Sequence, residues 1–86
     1  MKRLLYTTSG TCSRQIEVIT NGDNIESVKY YGGCNGNTQG VASLVKGMKI
    51  DEAIERLKGI KCGPRPTSCP DQLARALERI KEMPEE

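Results

Sequence analysis

The chain has 86 residues, with 13 Lys and Arg against 11 Asp and Glu, a formal net charge of +2. That length accommodates one domain, expected over residues 1–86, with too little buried surface for a large core. A balanced charge, no basic block and three Tyr as the only aromatics give no footing for nucleic-acid binding, and no apolar run is long enough to span a membrane.

The first third of the chain reads as strands. Lys2 to Thr8 is a short run whose apolar residues are too few for a signal peptide, so a cytoplasmic chain is expected. Ser9-Gly10-Thr11-Cys12-Ser13 connects it to a second run, Gln15 to Thr20, rich in β-branched residues. Asn21-Gly22-Asp23-Asn24 predicts a turn, and Ile25 to Tyr31 a third strand pairing as a hairpin. Tyr30 is expected inside or outside the sheet opposite to Tyr31, since neighbours in a strand alternate faces.

The period then changes. Gly32-Gly33-Cys34-Asn35-Gly36-Asn37 predicts a tight loop, and its glycines lack the Gly-Lys-Ser/Thr that would make it a phosphate loop. Val41, Leu44, Val45 and Met48 fall on one helical face, with Gly47 at the end. Ile50, Ala53, Ile54 and Leu57 define a second helix, with Asp51 and Glu52 in its first turn and Gly59 at its C-cap. Asp51, Glu52 and Glu55 read as its solvated face. Gly63-Pro64-Arg65-Pro66-Thr67 breaks the helix. Pro70 suits the first position of a third helix, which makes Cys69 its N-cap; Leu73, Leu77 and Ile80 form its stripe, with Ala74 beside them. The expected fold is α+β: a three-stranded antiparallel sheet with about three helices packed on one face.

Chemistry concentrates in four cysteines, Cys12, Cys34, Cys62 and Cys69, all in or beside Gly- and Pro-rich connections. A core without Phe or Trp favours an internal staple, and in a reduced compartment four thiols point to a metal site before redox thiols or structural disulfides. The absence of His excludes Cys-His and Ser-His catalytic pairs, and it makes a site of four protein ligands all thiolate. Such a site suits zinc or an iron–sulfur cluster. Spacing alone is not diagnostic, because no Cys-x-x-Cys pair occurs.

Thr67-Ser68-Cys69-Pro70-Asp71 resembles the signature of the TSCPD domain, and Gly33-Cys34-x-Gly36-Asn37 and Gly63-Pro64-Arg65 extend the resemblance over nearly the whole chain. It is similar to small stand-alone members with four cysteines. A related domain closes some cobalamin-dependent ribonucleotide reductases, which implies an accessory or interaction role near nucleotide reduction. The catalytic barrel of such enzymes does not fit in 86 residues, so no activity of its own is expected.

A second resemblance is to NifU-like iron–sulfur scaffold proteins. Val45-Lys46-Gly47-Met48-Lys49-Ile50-Asp51-Glu52-Ala53 is similar to their sequence, and Cys12, Cys34 and Cys69 match their three ligands. It implies the scaffold's topology and, as an alternative function, cluster assembly or carriage. Here Ser13 and Arg14 follow the first cysteine where the scaffold has an Asp, and Ser68 replaces its His. Cys62 is additional. The leading expectation is therefore a zinc module held by Cys12, Cys34, Cys62 and Cys69, with a reductase or an iron–sulfur component as partner. A thiol redox partner of a reductase is the third reading.

Overall fold

The computed structural model describes residues 1–10, 13–32, 35–61, 63–64 and 67–84, with 13 and 35–37 described as backbone alone. Three strands, β1 (Lys2–Thr7), β2 (Ser13–Asn21) and β3 (Asn24–Gly32), precede three helices, α1 (Asn35–Val45), α2 (Ile50–Leu57) and α3 (Cys69–Glu82). The sheet is antiparallel in the order β1-β2-β3. This is the α+β architecture expected from the periodicities.

Alternation gives the sheet two unlike faces. Leu4, Val18 and Val28 lie opposite one another across the three strands, as do Tyr6, Ile16 and Tyr30. Ile16 and Val18 are fully buried. Leu5, Glu17 and Lys29 form a row on the other face, where Arg3 pairs with Glu17 at 2.5 Å. Tyr30 packs against the core while Tyr31 is exposed, so the two tyrosines divide as the strand period requires.

The β2–β3 hairpin closes through Gly22-Asp23. Gly22 has φ +61° and no other residue type described has positive φ, the pattern of a type II′ turn. Asp23 does a second job. Its carbonyl accepts from the Ile50 amide at 2.8 Å, and the Ile25 amide donates to the Met48 carbonyl at 2.8 Å. The hairpin thereby fixes the entry into α2, whose N-cap, Lys49, supplies no side-chain bond.

Helix α3 lies over β1 and β2, α1 lies on β3, and α2 packs chiefly on α3. The core joins Ile16, Val18 and Ile25 to Ile50, Ala53, Leu73, Ala76, Leu77 and Ile80. The expected stripes of α2 and α3 are the ones buried; the C-cap of α2 is Lys58, already extended at φ −66° and ψ 133°, and Gly59, expected there, follows it with φ +87°. The exposed Asp51, Glu52 and Glu55 are also as expected.

Two expectations are corrected. Asn35–Asn37 is not loop: α1 begins at Asn35, because Gly36 is tolerated in a first turn whose amides need no intrahelical partner. Leu44 does not face the core; it is 78% exposed. On α1 Thr38 and Val45 are buried and Val41 and Ala42 half-buried, because this side of the helix faces β3, with a pocket between Thr38, Gln39 and Ala42 and the strand. Met48 still packs on the core, but from the turn after the helix.

Candidate metal centre

Of the four expected ligands, the structure describes Cys69. It is 5% exposed at the first turn of α3. Cys12, Cys34 and Cys62 lie outside the described residues. Among the described residues no three side chains of metal-ligating type gather. What the structure does define is the frame around Cys69 and the described residues that border the other three cysteines.

The start of α3 is one residue earlier in function than Pro70 implied. Ser68, not Cys69, is the N-cap: its backbone is extended and its Oγ accepts from the Asp71 amide at 3.2 Å. Cys69 is thus the first helical residue and Pro70 the second, where a missing N–H costs no helical bond. The hydroxyl of Ser68 also donates to the Ile60 carbonyl at 2.6 Å, tying the segment after α2 to the start of α3.

Asp71 is the centre of a buried polar network. Its carboxylate, 2% exposed, accepts from the Gly59 amide at 2.7 Å, from the Thr67 hydroxyl, and from Arg75 Nε at 3.1 Å. Burial by itself raises a carboxyl pKa; here the bonds from Thr67, Gly59 and Arg75 outweigh it and hold the group below its ordinary value. Gln72 continues the network. Its Nε2 donates to Thr67 Oγ1 at 3.0 Å, and its Oε1 accepts from the Ser9 amide at 3.2 Å. Gly10, φ +74°, lies so close that a Cβ there would sit 2.9 Å from Thr67 Cγ2. From the sheet, the Tyr30 hydroxyl donates to the Cys69 carbonyl at 3.0 Å; burial, and then the nearby Cys69, pushes the phenol pKa well above the tyrosine range.

The stretch Thr67 to Gln72 therefore gathers three other parts of the chain. Ser9 and Gly10 come from the β1–β2 connection, Gly59 and Ile60 from the end of α2, and Tyr30 from β3. A family model of the TSCPD domain matches residues 2–81. The chain belongs to the TSCPD-domain family. Neither a comparison with curated proteins nor one with solved structures found a match.

In this TSCPD domain the five signature letters have separable physical roles. Thr67 and Asp71 build the buried bond network, Ser68 caps the helix and Pro70 fits its first turn. Cys69 adds a soft thiol, buried beside them. Sequence reasoning assigned no buried role to Gln72 or Asp71. The signal was present: two polar residues, Asp71 and Gln72, stand directly before the apolar stripe of a helix that buries almost every side.

Asp71, the nearest carboxylate in sequence to Cys69, is already committed to three donors, and the chain has no His, so a metal held beside Cys69 would draw on soft thiol ligands before these.

Proposed function

We propose that this TSCPD domain is a metal-binding module, with Cys12, Cys34, Cys62 and Cys69 as thiolate ligands and zinc as the ion. The observation that supports this reading is that Ser9 and Ile60, close in sequence to Cys12 and Cys62, are bonded to the first turn of α3 beside Cys69. Ser9, bonded to Gln72, is three residues before Cys12; Ile60, bonded to Ser68, is two before Cys62. Gly32, the β-partner of Ser13, is two before Cys34, and Ser13 itself follows Cys12.

A closed four-thiolate zinc site is normally structural. The domain would then serve as an accessory or interaction module in the cytoplasm, with a ribonucleotide reductase as the partner class that the family resemblance supplies. No described helix is long and apolar enough to cross a membrane. The order of three strands and three helices also accords with a NifU-like scaffold, the second reading. Elemental analysis and a visible spectrum after aerobic and anaerobic purification separate the two. We expect a colourless protein with about one zinc per chain. A brown anaerobic protein containing labile sulfide, able to rebuild an apo-ferredoxin, overturns the zinc reading in favour of the scaffold.

A further inference from the structure

A groove of about 350 Å³ runs between the end of α1, the turn after it and α2. Its apolar walls are Leu44, Val45, Met48 and Leu57, and its charged residues are Glu52 and Arg56. Val45 belongs to the buried core, and Met48 and Leu57 pack against that core while half-buried. Leu44 stands beside them at 78% exposure, the highest among the large apolar side chains described. A lone exposed leucine is ordinary on a protein surface. Here it borders an apolar recess, so a projecting side chain and a recess able to receive one share a single patch.

That combination selects the class of partner. In a two-fold pair the same patch serves both copies, so it must carry both halves of each contact. The charges meet the same condition. Glu52 and Arg56 lie one turn apart on α2, pair with each other at 3.2 Å, and are both exposed. A two-fold axis crossing α2 between them reverses the helix, so Arg56 of each copy comes opposite Glu52 of the other. A partner of uniform charge would instead meet one repelling residue at this rim.

We propose that this groove is a two-fold interface between copies of the chain, with Leu44 of each copy seated against Met48 and Leu57 of the other, and Arg56 facing Glu52 across the axis. The patch is small, built on a recess, one leucine and a helix of eight residues. The association is therefore weak, with a dissociation constant of about 100 µM, and a melt of dilute protein reports the single copy. The interface uses none of the four cysteines, so it stands or falls apart from the metal reading.

The test is sedimentation equilibrium of the full chain from about 10 µM to about 2 mM. The average mass should rise from one copy towards two. Leu44→Asp should weaken the association about tenfold or more, and Leu44→Lys should do the same with a charge of the other sign. Glu52→Arg places like charges across the axis and should weaken it about tenfold, and adding Arg56→Glu to that variant should restore it. These positions are exposed, and circular dichroism checks that each variant is folded.

A single-copy mass at the highest concentration overturns the proposal and leaves the groove to a different protein. A pair that both Leu44 variants leave intact forms through another surface and overturns it as well. So does a pair indifferent to Glu52→Arg, or one that the double exchange fails to restore.

Discussion

Asp71 keeps its charge in a site that is 2% exposed because three donors converge on it. Its folded pKa lies below the ordinary 3.8, so as acid is added the unfolded chain takes up the proton first. The stability it contributes is complete above that ordinary value and is lost as pH falls through the folded pKa. Asp71→Asn should therefore be less stable than wild type at neutral pH and lose less on further acidification, measured by chemical denaturation between pH 7 and pH 2. Parallel curves for the two proteins would contradict this assignment. Tyr30 works in the opposite direction: its raised pKa leaves its contribution intact below pH 10.0 and erodes it above, as the unfolded phenol ionises first. Gly10 is constrained in two ways, by a positive φ and by Thr67 Cγ2. Gly10→Ala should cost more than about 1 kcal/mol in a urea melt, whereas a gain would show that neither constraint operates.

At the scale of elements, the orientation of α1 is the most testable feature. Its buried side runs through Thr38, Val41, Ala42 and Val45, and Leu44 points to solvent. Leu44→Lys should leave the melting temperature near that of the wild type. Val45→Ala, at a position 3% exposed, should cost about 2 kcal/mol. A large loss at Leu44 would restore the face expected from spacing. The hydrophobic spacing was ambiguous here because Leu44 and Met48 complete a regular helical pattern with Val41 and Val45. Packing settled it: α1 lies on β3 with Thr38 and Val45 buried and Leu44 turned to solvent. The turn between α1 and α2 bonds to the base of the hairpin, which draws Met48 into the core although the helix has ended.

For the whole molecule, the relevant quantity is the modest size of the core. Its fully buried apolar members are aliphatic, and the chain contains neither Phe nor Trp. The radius of gyration, 11.7 Å, is close to the roughly 12 Å expected of a compact chain of this length, so compactness is reached without large aromatic side chains. A metal in the proposed centre should then contribute much of the folding free energy. If it contributes about 3 kcal/mol, stripping it should lower the melting temperature by about 12–24 °C. The check is a calorimetric scan before and after removal by a strong chelator, with metal loss verified by elemental analysis. An unmoved transition in metal-free protein would show that the centre is not structural.

Periodicity alone determined the number, order and type of the elements. Alternation of period 2 and the Gly22 turn define the hairpin, and helical spacing with Gly59 defines α2 and its end. The stripe Leu73, Leu77 and Ile80 was likewise legible, because those residues have no competing pattern around them. Local patterns carry this information because they depend on neighbours along the chain. The cap of α3, the exposed side of α1 and the role of Gln72 were decided by partners from distant segments. Pro70 made Cys69 a reasonable cap by local rules, yet Ser68 holds the position because its hydroxyl serves both the Asp71 amide and the Ile60 carbonyl. Gln72 reads as an ordinary polar helix residue until the fold brings Ser9 to it. Long-range hydrogen bonds leave no period in a sequence, and the tertiary structure alone brings their two ends together.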